Sequence, residues 1–193
     1  SAVADVVRRI EAEHGPIDLA VLNAGVWHPM GANNFAIDKL SASMAVNYQG
    51  VANGAAAVMS LMMSRRAGHL AFVSSVAGYR GLPKAAGYAP SKAAVISLAE
   101  SLTPDLASYN VKVSIINPGF VATPMTSVNK FPMPFMITAE DAARRIVAGL
   151  SAGKFEIAFP WQLVTLMKIA RVLPYPLFFW YARTFLSPRR PTG

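Results

Sequence analysis

Cysteine is absent from all 193 residues, which leaves no disulfide framework, thiolate nucleophile or zinc–thiolate site open to this chain. Charge is scarce too. Charged residues make up 15% of the sequence against 53% apolar ones, enough apolar material for one domain with a sizeable core. The three histidines, His14, His28 and His69, show no metal-ligand spacing and no Gly-x-Ser-x-Gly stretch occurs, so no metal is expected and a serine hydrolase finds no support. No uncharged apolar run reaches the roughly 18 residues of a spanning helix, because Pro174 and Pro176 interrupt the strongest candidate. Acidic residues are missing from 157–193, where Lys168, Arg171, Arg183, Arg189 and Arg190 carry more than half of the net charge of +8. Apolar bulk dominates that segment and no recognition module is visible, so nucleic acid is not an expected partner.

What is present alternates. Short β-branched runs at 17–22, 69–74, 111–116 and 154–159 are separated by longer helical stretches at 37–65, 87–109 and 138–150. That is the pattern of parallel strands joined by crossover helices, an α/β fold. Val3, Val7 and Ile10 fall at helical spacing, so the chain opens in a helix. Asn110 is placed to stop one helix, and Thr138 to cap the next.

Tyr88 and Lys92 lie four residues apart, with Ser75 thirteen positions before the tyrosine. On a helix that spacing puts both side chains on one face. A phenol titrates near pH 10, so it serves as acid or base near neutrality when a neighbour favours phenolate. An ammonium within about 4–6 Å can do so. Ser75 can donate a hydrogen bond to a carbonyl oxygen gaining negative charge. The three suit carbonyl and alcohol redox chemistry.

Four blocks resemble the short-chain dehydrogenase/reductase family over about residues 15–150: Asn23-Ala24-Gly25 after the first strand, Asn47, the Ser75/Tyr88/Lys92 set, and Pro118-Gly119-Phe120-Val121-Ala122-Thr123. The resemblance implies a Rossmann-like doubly wound parallel sheet. It implies a catalytic tetrad of Asn47, Ser75, Tyr88 and Lys92, with Lys92 also gripping the nicotinamide ribose and Asn47 holding a water in the proton relay. For the cofactor, NAD or NADP, it implies contacts from Asn23, Ala24, Gly25, Tyr88, Lys92, Pro118, Gly119, Val121 and Thr123. The family's Gly-x-x-x-Gly-x-Gly turn is lacking and the sequence opens at Ser1, so the expectation is a fold without its first βαβαβ portion, leaving the 17–22 strand at an exposed edge.

Two segments are therefore expected: 1–156 as the catalytic part of the Rossmann-type domain, and 157–193 as an apolar, basic, helical extension. The expected enzyme is cytoplasmic and homo-oligomeric, acting on a lipophilic secondary alcohol or carbonyl compound, with 126–137 as an apolar lid over the substrate. For 157–193 two readings stand: peripheral membrane contact, or a segment that packs on the catalytic domain, lids an apolar pocket or fills a subunit interface. The alternative reading is a noncatalytic remnant that binds a membrane surface or a protein partner through that segment.

Overall fold

The computed structural model describes residues 2–129 and 131–186. Four strands, β1 (Leu19–Leu22), β2 (Gly68–Val73), β3 (Val111–Pro118) and β4 (Glu156–Phe159), form one parallel sheet in the order β1-β2-β3-β4. Helices α1 (Ala2–His14), α2 (Ile37–Met44), α3 (Val51–Arg65), α4 (Tyr88–Ala107) and α6 (Ala139–Ser151) accompany them, with a four-residue α5 at Pro124–Ser127. After β4 come α7 (Trp161–Val172) and α8 (Tyr175–Tyr181).

Alternation along the strands sorts the core into two layers, as side chains on a pleated sheet must. Leu70, Phe72, Val113 and Ile115 face a large cluster with Val7, Val58, Met62, Val95 and Leu163. Ala71, Ile116, Ile157 and Phe159 face the other way, against Ala142 and its neighbours on α6. Helices thus lie on both faces, the doubly wound arrangement. The second layer is incomplete over β1, where Leu19 and Val21 are 43% and 47% exposed.

Local chemistry explains the boundaries. Ile17 does not extend β1, because side chains take its backbone: its N–H donates to Glu11 Oε1 at 3.0 Å, and its carbonyl accepts from Arg65. Asn110 stops α4 as expected, in the left-handed region at φ 55°, where asparagine is tolerated better than most residues. Thr138 caps α6, its hydroxyl accepting from the Asp141 N–H at 3.1 Å. The stretch expected as one helix over 37–65 is helical throughout, and widens into a π-turn at Ala45–Gly50 between α2 and α3.

The sheet continues through Phe159, and Leu163 and Met167 of α7 enter the larger core layer. Glu156 strengthens this junction by bonding Lys168 of α7 and the hydroxyl of Tyr79. Against the cost of burial, those bonds hold its carboxylate below the ordinary value. Arg189 and Arg190 lie outside the described residues.

Candidate active site

In a parallel sheet every strand delivers its following loop to the same edge, so residues far apart in sequence meet beyond the carboxyl ends. Asn23-Ala24-Gly25 follows β1, Ser75 follows β2 and Pro118-Gly119 closes β3. Tyr88 opens α4, and Lys92 lies one turn further along the same face. Asn47 comes from the π-turn, a wide turn often found where a helix serves a site.

Asn47 is fully buried and its amide is saturated. Its Oδ1 accepts from the Val26 N–H at 2.7 Å, while Nδ2 donates to the Val26 carbonyl and to Ser91 Oγ, both at 3.0 Å. Ser91 passes the contact on, donating to the Tyr88 carbonyl at 2.8 Å. The side chain therefore anchors the post-β1 loop to the start of α4.

Ser75 is buried at the end of β2, where its Oγ accepts from the Ala77 N–H at 3.2 Å and makes a long 3.3 Å bond to the Pro118 carbonyl. It lies near enough to the Tyr88 hydroxyl to favour the phenolate. Lys92 is 3% exposed, its Nζ donating to the Val73 carbonyl at 2.9 Å and sitting 5.8 Å from the centroid of the Tyr88 ring. An ammonium has three donors, so Lys92 keeps capacity for further acceptors. A Cβ added at Gly25 would lie 3.4 Å from Lys92 Nζ and 3.5 Å from Asn47 Oδ1. The absent side chain leaves a small cradle beside the ammonium.

The electrostatics differ from the sequence expectation in one respect. Burial raises the Tyr88 hydroxyl above its ordinary pKa, and the nearby Ser75 only partly opposes this. The neighbouring Lys92 does not outweigh this, because burial penalises the ammonium as well and lowers the lysine to about 8. Two groups that each resist ionisation share the site. Near neutrality Tyr88 is a protonated donor, and Lys92 titrates just above.

The cofactor-side residues divide. Gly25 is brought next to Lys92 and Asn47, whereas Asn23 and Ala24 stay exposed on the turn. Gly119 serves packing: its N–H donates to the Phe159 carbonyl at 2.7 Å, and an added Cβ would lie 2.7 Å from Leu163 Cδ2. Val121 and Thr123 are tied into their own loop, where Thr126 Oγ1 donates to the Val121 carbonyl at 2.7 Å and accepts from the Thr123 N–H at 3.0 Å.

Trp27 escaped the sequence reading. Its ring meets Tyr88 edge-on with centroids 5.1 Å apart, and its Nε1–H donates to Asn129 Oδ1 at 2.9 Å. It thus links the tyrosine to segment 126–137. The base of that segment is zipped by a bridge between Val121 and Ile137, with the Ala122 N–H donating to the Ile137 carbonyl at 2.9 Å. A ring two residues past the Asn-Ala-Gly turn was the available signal. Ser91, inside the Tyr-x-x-x-Lys stretch, was equally visible. Among the described residues no cluster of three His, Cys, Asp or Glu gathers as for a metal ion.

Known proteins resemble this chain in sequence and in fold. A protein of Myxococcus xanthus described as an uncharacterized oxidoreductase is 41% identical over 177 residues, 92% of this chain and 70% of that protein. The 3-oxoacyl-[acyl-carrier-protein] reductase of Thermotoga maritima is 34% identical over 81% of this chain, which spans 61% of that relative's length. A crystal structure of a short-chain dehydrogenase from Streptomyces avermitilis superposes with a TM-score of 0.75 at 20% identity, covering 95% of this chain and 75% of that one, a likeness of fold. The family model for short chain dehydrogenases matches residues 1–131. With two thirds of its length matched by that model, the chain belongs to the short-chain dehydrogenase/reductase family of oxidoreductases.

Proposed function

We propose that Tyr88, Lys92, Ser75 and Asn47 form the proton-handling half of a dehydrogenase that interconverts a secondary alcohol and its carbonyl compound. The bound nicotinamide dinucleotide, NAD or NADP, supplies hydride exchange at the substrate carbon. The observation that carries the reading is the Lys92 ammonium buried beside the Tyr88 ring, 5.8 Å from its centroid, with Ser75 at the end of β2 near the tyrosine hydroxyl. In the reducing direction Tyr88 gives its proton to the substrate oxygen. Ser75 turns its hydroxyl from the long bond to Pro118 toward that oxygen and stabilises the charge developing on it. Lys92 offsets the negative charge left on Tyr88. In the oxidising direction the same hydroxyl takes the proton back.

The residues present fit the nicotinamide end of such a cofactor. Gly25 leaves space beside Lys92 Nζ, where the ammonium's remaining donors can meet ribose hydroxyls. Val121 and Thr123 would approach the carboxamide, and Asn23, Ala24, Pro118 and Gly119 would shape the surrounding turns. No glycine-rich pyrophosphate turn occurs in the 193 residues, so affinity from this chain rests on that end.

A lipophilic substrate is favoured by the segment that Trp27 ties to Tyr88, where Phe131, Met133, Phe135 and Met136 follow Asn129 in sequence. Replacing Tyr88 by Phe tests the proposal. Turnover of a secondary alcohol should fall by at least about a hundredfold, the contribution of a positioned acid–base group, while nicotinamide dinucleotide binding by titration stays within twofold. Retained turnover would reject the assignment.

A further inference from the structure

The chain displays rings and branched aliphatics on its last two described helices. On α7, Trp161, Ile169 and Val172 are 71%, 53% and 79% exposed, and on α8, Leu177, Phe179 and Trp180 are 55%, 50% and 60% exposed. These are not stray surface residues. They lie on the sides of α7 and α8 turned away from a small core of Ala170, Leu173, Phe178 and Ala182, through which the two helices fold against each other.

The elbow between them is braced. The Arg80 guanidinium lies 4.5 Å from the Tyr175 ring centroid and 4.4 Å from that of Phe178, and donates to the carbonyls of Arg171 and Leu173 at 3.2 and 3.4 Å. Tyr175 stacks on Phe179, with centroids 5.7 Å apart. The apolar display is held in one arrangement. A soluble surface rarely carries a contiguous patch of this kind without an occupant.

Charge selects the occupant. Residues 157–193 contain five basic side chains and no acidic one. A two-fold contact between copies of this surface would set Arg171 and Arg183 of one copy against those of the other with no carboxylate to compensate. Anionic phospholipid provides the missing negative charge and takes tryptophan and tyrosine at headgroup depth. Among the described residues no helix is long and apolar enough to cross a membrane, so the geometry is that of helices lying in the interface.

We propose that α7 and α8 form a docking surface for an anionic lipid bilayer, with Ile169, Val172, Leu177, Phe179 and Trp180 entering the acyl boundary and Arg171 and Arg183 meeting lipid phosphates. This does not rest on the redox assignment.

Vesicle flotation of the whole 193-residue chain tests it, using phosphatidylcholine alone and phosphatidylcholine with one third phosphatidylglycerol. Partitioning onto the anionic vesicles should be at least about tenfold stronger and weaken at high salt. Brominated acyl chains should quench tryptophan emission. Arg171→Gln with Arg183→Gln should cost about twenty-five-fold on anionic vesicles alone, from roughly fivefold per charge. Val172→Glu with Phe179→Glu should cost at least about tenfold on both, without changing the far-ultraviolet circular dichroism. Equal or absent partitioning onto the two vesicle types overturns the proposal, as does undiminished binding by the glutamate variant. A dimer in light scattering that the glutamate pair dissolves, with no vesicle binding, would assign the surface to a second copy instead.

Discussion

Lys92 hides an ammonium where burial is costly, while Trp180 and Val172 show apolar surface where exposure is costly. The two regions break the same rule in opposite directions. Around Tyr88 the violation is compensated from within: the carbonyl of Val73 takes the ammonium, Ala77 donates to Ser75, and Val26 and Ser91 satisfy Asn47. On α7 and α8 the chain supplies no cover for the outward faces among its described residues. The first kind of violation prepares an interior for a small molecule. The second prepares an exterior for something larger.

The contrast is sharpest at Lys92, where function and stability should separate. Lys92→Met should lower turnover by at least about a hundredfold, since Tyr88 loses its counter-charge. The same variant should be the more stable one near neutrality. The folded lysine titrates at about 8, below its unfolded value near 10.4, so the unfolded chain binds more protons between those limits. Native stability therefore rises as pH climbs through that window, and below it the full penalty of the buried charge applies. At pH 7 the methionine variant should gain roughly 1–2 kcal/mol after losing the bond to Val73, and near pH 10 the gain should vanish. Urea titrations at the two pH values measure this; a variant destabilised at pH 7 would show that the ammonium is not penalised.

Asn47→Ala breaks the interior from its other side. It strands the Val26 N–H and removes three buried hydrogen bonds, so it should cost roughly 2–4 kcal/mol and lower turnover by loosening the start of α4. Thermal unfolding with initial rates would show both losses, and an unchanged midpoint would deny the anchoring role. Val172→Ser should do least to the free protein. At 79% exposure its removal should move stability by under about 0.5 kcal/mol by chemical denaturation. A larger loss would mean that the outward face is covered and the comparison fails.

Much of this was legible in the sequence, because the relevant signals are short-range. Strand runs at 17–22, 69–74, 111–116 and 154–159 were marked by β-branched residues, Thr138 and Asn110 by their cap and stop chemistry, and the tyrosine–lysine face by a helical spacing of four. Long-range partners were not legible. The bond of Trp27 to Asn129 joins residues 102 positions apart, and that of Asn47 to Ser91 joins residues 44 apart. The direction of the Tyr88 shift was missed for the same reason: spacing shows which charges are neighbours, but not how much water the fold removes from both.

The wide turn at Ala45–Gly50 works as a phase adjuster between α2 and α3. It holds one residue more per turn than an ideal helix, and each residue of an α-helix advances the face by about 100°. Deleting a single residue there would straighten the rod while rotating everything beyond it by that angle relative to α2. Either the apolar stripe of Val51, Ala55, Val58 and Met62 or the Asn47 amide could keep its seating, not both. The surplus residue lets one continuous rod satisfy a hydrophobic layer and a polar anchor that an unbroken period cannot serve together.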